Sequence, residues 1–114
     1  MEERRKYPRR YLNFFTRVFD LKSGELLGYL GDITTAGAMV ISELPIDPEV
    51  TFKLRMDLPE HQFGKDRLDM EARSLWCQPD INPQFFNTGF EFLKLEEEDI
   101  QVIERIVQQY GIRD

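Results

Sequence analysis

The chain has 114 residues, of which 41% are hydrophobic and 32% are charged, so its composition is typical of one globular domain and excludes a disordered chain. No apolar run approaches the roughly 20 residues that a membrane helix needs, and the charged N-terminus lacks the apolar core of a signal peptide. The single cysteine, Cys77, excludes an internal disulfide. We therefore expect a cytoplasmic protein without membrane insertion.

Charge is distributed unevenly along the chain. Residues 1–17 contain six cationic and two anionic side chains, a net charge of +4, whereas the other 97 residues contain nine and nineteen, a net charge of −10. An acidic body repels long polyanions, so no nucleic-acid partner is expected, and an RNA-binding barrel is the least favoured alternative. A local basic patch can still hold a small anion, and the asymmetry therefore favours a compact anionic ligand.

The first 42 residues predict three strands. The segment 11–20 is dense in aromatic and β-branched residues, which suit a strand, and the turn signal Lys22-Ser23-Gly24 predicts a hairpin to the next one. This second strand is predicted to end near Ile33. A tight turn through Thr34–Gly37 then leads to a third strand from about Ala38 to Ser42.

Three further strands are predicted between residues 50 and 95. The segment 50–58 alternates regularly, and its apolar positions are predicted to face the core: Val50, Phe52, Leu54 and Met56. The segment 67–77 alternates less regularly, because Leu75 and Cys77 are out of phase with the apolar residues before them. We interpret Trp76 and Cys77 as core residues, in preference to a ligand-stacking ring and a reactive thiol. The segment 85–95 completes the set.

The end of the chain changes from a strand period to a helical period. Apolar residues recur at helical spacing from residue 97 to 110, and acidic residues precede them, where negative charge suits the helix dipole. Gly111 follows as a stop signal. Six short strands followed by one amphipathic helix predict a mainly β fold, an antiparallel barrel or sandwich with a C-terminal helix packed on it.

Catalytic and metal-binding patterns are weak. The only histidine, His61, lies in a polar loop with no nucleophile at a recognised spacing, and we interpret it as a surface residue. Asp57, His61, Asp66 and Asp69 form a loose cluster whose spacing matches no metal-ligand pattern. We therefore predict a protein that is not an enzyme and has neither a metal nor a cofactor.

Two motifs suggest a binding function. The basic arm Arg4-Arg5-Lys6-Tyr7-Pro8-Arg9-Arg10 places Arg5 and Arg9 four residues apart, and guanidinium groups pair with phosphate and stack on aromatic rings. The segment Asp32-Ile33-Thr34-Thr35-Ala36-Gly37 offers a carboxylate that can accept hydrogen bonds from a guanine edge, a nearby hydroxyl, and a glycine that permits close backbone approach.

Together these motifs resemble those of the PilZ domain family, bacterial receptor modules for the second messenger cyclic di-GMP. The family carries Arg-x-x-x-Arg in an N-terminal arm, matched by Arg5 to Arg9, and later Asp/Asn-x-Ser-x-x-Gly, matched by Asp32 to Gly37 with Thr34 in place of serine. Asp32 follows Arg9 by 23 residues. The late segment NTGFEF and the acidic helical end also resemble the closing strand and helix of the family.

The resemblance implies a six-stranded antiparallel β-barrel spanning residues 12–95, a flexible ligand-binding arm at 1–11 and a C-terminal helix at 96–111, within a single domain. It implies that Arg5 and Arg9 contact the phosphates and guanine faces of cyclic di-GMP. Asp32 would read a guanine edge, Thr34 would supply a hydroxyl and Gly37 would keep the turn close. Further phosphate contacts are expected from two neighbouring arginines, Arg4 and Arg10.

The function expected from the resemblance is that of a cyclic di-GMP receptor that orders its arm on binding and relays the signal to a partner protein, for example in motility or biofilm regulation. The alternative is an adaptor that keeps the fold without the nucleotide and acts through protein contacts, as some family members do in type IV pilus systems. Thr34 in place of serine and the acidic body favour this alternative.

Overall fold

Six antiparallel strands close into a barrel in the computed structural model, which describes residues 16–58 and 64–110. The strands are β1 (Arg17–Asp20), β2 (Leu26–Ile33), β3 (Gly37–Ser42), β4 (Thr51–Asp57), β5 (Arg67–Pro79) and β6 (Phe86–Lys94), and the helix α1 spans Glu97–Tyr110. Around the barrel the order is β1-β2-β3-β6-β5-β4, with β4 paired back to β1. The predicted mainly β fold with one C-terminal helix is confirmed, and of the two arrangements the barrel is correct.

Most element positions follow the sequence pattern. The turn between β1 and β2 contains Gly24 at a φ of 77°, a left-handed conformation that glycine adopts readily, as the predicted hairpin requires. The helix occupies the range predicted from its period. Of the first predicted strand, residues 11–15 lie outside the described part of the chain, and β1 begins at Arg17, one residue after the first described one.

The core lies inside the barrel and continues onto one face of α1. Leu54 and Met56 on β4 are buried as their alternation predicted, whereas Val50, which precedes the strand, is exposed. Residues Val102, Ile103 and Ile106 of α1 are buried in the same apolar cluster as the inward side chains of the strands. The helix therefore packs on the barrel through the stripe that the 3.6-residue period indicated.

The connections divide between the two ends of the barrel. At one end lie the β2–β3 turn, the β4–β5 connection and the start of α1 directly after β6. The chain also enters β1 at this end, where the Leu30 N–H donates to the Thr16 carbonyl oxygen at 3.0 Å. The β1–β2 turn and the connections after β3 and β5 lie at the opposite end. Thr16, the first described residue, therefore lies at the same end of the barrel as the β2–β3 turn.

An ion pair links the β4–β5 connection to the first turn of α1. The Lys65 ammonium Nζ donates to Asp99 Oδ1 at 2.8 Å, and Glu98 Oε1 lies 4.0 Å from the same nitrogen. The pKa of Lys65 is raised above its ordinary value of 10.5, chiefly by the hydrogen bond to Asp99 and further by the nearby charges of Asp99, Glu98 and Asp69, while burial opposes the shift.

Replacing Lys65 by methionine should lower the free energy of unfolding by about 1 kcal/mol near neutral pH, since the pair is only partly buried. A raised folded-state pKa means that this stabilisation is fully present below pH 10.5 and is lost as the pH rises through the raised value. Urea unfolding from about pH 8 to pH 11.5 should show the gap between Lys65→Met and the parent narrowing above 10.5. A gap between Lys65→Met and the parent that stays constant over this range would contradict the prediction.

Candidate functional site

Four cross-strand neighbours form a row on the outside of the barrel, which we call the outward row. Asp32 on β2 pairs with Met39 on β3, Met39 pairs with Gly89 on β6, and Gly89 pairs with Trp76 on β5. Adjacent strands are about 4.8 Å apart, so the row spans about 14 Å of surface. Paired residues project from the same face of a sheet, and the side chains of this row therefore share one surface.

The adjacent row faces the core and confirms the direction of the outward row. Ile33, Ala38, Phe90 and Ser74 are paired across the same four strands, and all four are buried. Successive residues of a strand point to opposite faces of the sheet. The outward row lies one residue away along β2, β3 and β6 and, because of a bulge, two residues away along β5. It must therefore project toward solvent.

A β-bulge at Gly31 turns Asp32 outward. Leu30 pairs with Val40 and Asp32 pairs with Met39, so Gly31 is an extra residue on β2. Leu30 and Ile33 are both buried, which strict alternation along β2 would forbid because they are three residues apart. Because the bulge adds one residue to β2, Leu30 and Ile33 can both face the core while Asp32 faces the surface. There the Asp32 Oδ1 accepts a hydrogen bond from the Ile33 N–H at 2.9 Å.

A second bulge, on β5, turns Trp76 outward. Ser74 pairs with Phe90 and Trp76 pairs with Gly89, so Leu75 is the extra residue. Trp76 is 40% exposed, and our interpretation of it as a core residue was wrong. Cys77 is half-buried and so does not belong to the core either. The signal that could have indicated this arrangement was the phase change at Leu75, which the alternation already showed.

The β2–β3 turn is held tightly against β6. The Thr34 N–H donates to the Gly37 carbonyl at 2.8 Å, and the Phe92 N–H donates to the Ala36 carbonyl at 2.9 Å. The Thr34 hydroxyl accepts the Ala36 N–H at 3.1 Å. A Cβ on Gly37 would overlap the backbone carbonyl oxygen of Phe90. Glycine is therefore required at this position by the close approach of two backbones.

An open depression of about 240 Å³ joins these features. Its lining includes Asp32, Thr34 and Gly37, together with Met39, Trp76 and Phe90. The structure thus brings the three predicted residues of the second motif together and adds an exposed tryptophan. A carboxylate, a hydroxyl and an aromatic ring can hydrogen-bond and stack a planar base.

The remaining predicted site residues are Arg4, Arg5, Arg9 and Arg10, which lie outside the described residues. Chain length alone limits where they can act. Seven peptide steps separate Arg9 from Thr16, so Arg9 can lie up to about 25 Å from the point where the chain joins the barrel. That distance exceeds the width of the outward row.

Other kinds of site find little support within residues 16–58 and 64–110. No group of three His, Cys, Asp or Glu side chains there could hold a metal ion. A membrane-spanning helix is also absent from those residues, because α1 is too short and too polar.

Comparison with known proteins identifies the family. The family model described as the PilZ domain matches residues 3–109. This range contains both the motif from Arg5 to Arg9 and the motif from Asp32 to Gly37. The chain belongs to the PilZ domain family. A search of curated proteins by sequence finds no match.

Solved structures share the fold of this PilZ domain. MotI/DgrA of Bacillus subtilis, described as an inhibitor of motility, aligns with a TM-score of 0.69 and 16% identity over 95% of this chain and 51% of its own. MrkH of K. pneumonia, solved as a complex with c-di-GMP, aligns with a TM-score of 0.63 and 17% identity over 94% of this chain and 52% of its own. The chain spans about half the length of these proteins.

Proposed function

We propose that this PilZ domain is a receptor for cyclic di-GMP. The observation that carries the proposal is the convergence of Asp32, Thr34 and Gly37 with an exposed tryptophan on one surface depression. The depression lies at the end of the barrel where the chain carrying Arg5 and Arg9 enters. The structure of MrkH in complex with c-di-GMP supports this choice of ligand, because MrkH shares the fold.

Each residue has a role that follows from its chemistry. The Asp32 carboxylate accepts hydrogen bonds from the N–H groups of a guanine edge, and the Trp76 ring lies against a base. Arg5 and Arg9 supply forked N–H donors and positive charge for the two phosphates. Arg4 and Arg10 add further phosphate contacts, and Thr34 adds a hydroxyl at the rim.

The arm must complete the site. Pockets that enclose a drug-sized ligand measure about 300–1,000 Å³, so a depression of 240 Å³ holds a part of a cyclic dinucleotide. The rest of the ligand is covered when the arm closes over it. Closure changes the surface offered to a partner protein, and the signal passes to that partner without a catalytic step.

Titration calorimetry with cyclic di-GMP, and with GTP as a control, tests the proposal. We expect saturable binding with a dissociation constant near micromolar, about −8 kcal/mol, and none with GTP. Because the phosphate contacts are partly exposed, binding should weaken as salt is added. Absence of heat at ligand concentrations far above micromolar would contradict the receptor function.

The second candidate is an adaptor that acts through protein contacts without nucleotide. Exposed apolar side chains at the end of the barrel opposite the depression favour this candidate. They are Leu44, Ile81 and Leu26, and the Leu44 side chain is 77% exposed. Binding to a partner that is indifferent to added cyclic di-GMP and to substitutions in the arm would support this candidate over the receptor.

A further inference from the structure

We infer that Gly89 is a positioning residue for ligand binding, because its lack of a side chain allows the Trp76 indole to lie across β6 in the depression that Asp32 also lines. The inference rests on the proposed function insofar as the ring contacts a guanine base of cyclic di-GMP. The position of the ring itself can be tested without any ligand.

The indole occupies the space that a side chain at position 89 would need. A Cβ added to Gly89 would meet three atoms of the ring, with Nε1 at 2.5 Å and Cζ2 at 2.6 Å. Real Cβ atoms do not approach heavy atoms so closely, so either the ring or the strand would have to move. Gly89 projects outward with its row yet is buried, which is consistent with the ring covering it.

Backbone conformation does not explain the glycine. Positive φ angles among the described glycines occur at Gly24 and Gly64, and Gly89 has an ordinary strand conformation that alanine adopts without strain. The nearest obstacle to a larger residue is therefore the indole. Because Trp76 is partly exposed, its ring can swing toward solvent, and we expect Gly89→Ala to fold normally.

The displaced ring would leave the depression. In the parent, Trp76, Gly89 and Asp32 line the same concavity, so a base that donates hydrogen bonds to Asp32 can also lie against the indole. Stacking of a base on an aromatic side chain contributes about fivefold to a hundredfold in affinity. Loss of the ring's position should therefore weaken binding nearly as much as loss of the ring.

The experiment is a double-mutant cycle of Gly89→Ala and Trp76→Ala, measured by calorimetry with cyclic di-GMP. We expect each single substitution to weaken binding about tenfold. The double variant should bind as the Trp76→Ala variant does, because Gly89 acts through the ring. The inference would be overturned if Gly89→Ala lowered the affinity equally in the parent and in the Trp76→Ala variant. It would also be overturned if Gly89→Ala alone did not lower the affinity.

A second readout is independent of the ligand. Trp76 is the only tryptophan, so its fluorescence reports the position of the ring directly. Gly89→Ala should shift the emission to longer wavelength and increase quenching by acrylamide. Gly24→Ala, in the turn at the opposite end of the barrel, is a control for destabilisation alone. A φ of 77° strains alanine there, yet emission and affinity of the folded protein should not change.

The two readouts separate the inference from the proposed function. If the parent binds no cyclic di-GMP, the receptor proposal fails, while a shifted emission of Gly89→Ala still supports the positioning role. If the parent binds and Trp76→Ala binds equally well, the receptor proposal stands and the inference is overturned. An unchanged emission of Gly89→Ala would overturn it in either case.

Discussion

Replacing Arg5 and Arg9 together by alanine is expected to weaken cyclic di-GMP binding at least a hundredfold. A hydrogen bond to a charged group contributes about 1.5–3 kcal/mol, so the loss of two such contacts costs about 3–6 kcal/mol of binding free energy. The barrel cannot compensate, because the described lining of the depression contains one carboxylate and no cation. Titration calorimetry of the double variant against the parent measures the effect.

A charge-matched control separates phosphate contacts from a general change of net charge. Lys22 lies in the turn at the opposite end of the barrel, and Lys53 is exposed on β4, which is not part of the outward row. Lys22→Ala combined with Lys53→Ala removes the same charge and should change affinity little at moderate salt. Parent-like affinity of the Arg5/Arg9 variant would show that the site is assigned wrongly.

Substitutions of Arg4 and Arg10 test which arginines of the arm make the main contacts with the ligand. If Arg5 and Arg9 are the motif residues, Arg4→Ala combined with Arg10→Ala should weaken binding less than the Arg5/Arg9 pair does. A larger loss from Arg4 and Arg10 would show that these two arginines make the main phosphate contacts, and it would leave the receptor function in place.

Replacing Ile103 by alanine is expected to lower the free energy of unfolding by about 2–5 kcal/mol. Ile103 is completely buried on α1, within the cluster that joins the helix to the barrel, so the substitution leaves a cavity there. Domains of this size are stable by only about 5–15 kcal/mol, and the loss should lower the melting temperature by about 10 °C or more. Thermal unfolding followed by circular dichroism measures it.

Gln101→Ala is the matched control on the same helix. Gln101 is exposed, and a surface substitution of this kind changes stability by less than about 0.5 kcal/mol. If Ile103→Ala and Gln101→Ala melted together, the helix could not be packed on the barrel as described.

Local patterns determined most of the fold. The alternation of β4 predicted that Leu54 and Met56 are buried, because a half-buried strand has a period of two whatever its partners are. The helical period predicted α1, because its apolar stripe has to face the barrel. The spacing of the two motifs indicated the family before any coordinates, since each motif is contiguous in the chain.

Pairing between strands decided what the sequence by itself could not. Whether a residue inside a strand is bulged depends on the register of its neighbours, and the bulges at Gly31 and Leu75 each reverse the faces of the residues that follow. Without the bulges, strict alternation of side chains along β2 and β5 would place Asp32 and Trp76 in the core.

The same limit applies to the contact between Gly89 and Trp76. The two residues are 13 positions apart in the chain, and they become neighbours only when β5 pairs with β6 in the bulged register. The sequence therefore predicted a set of binding residues that includes Asp32, Thr34 and Gly37 but not Trp76. The tertiary structure decided which of them face outward together, because the surface of a barrel is set by contacts between strands that no single segment contains.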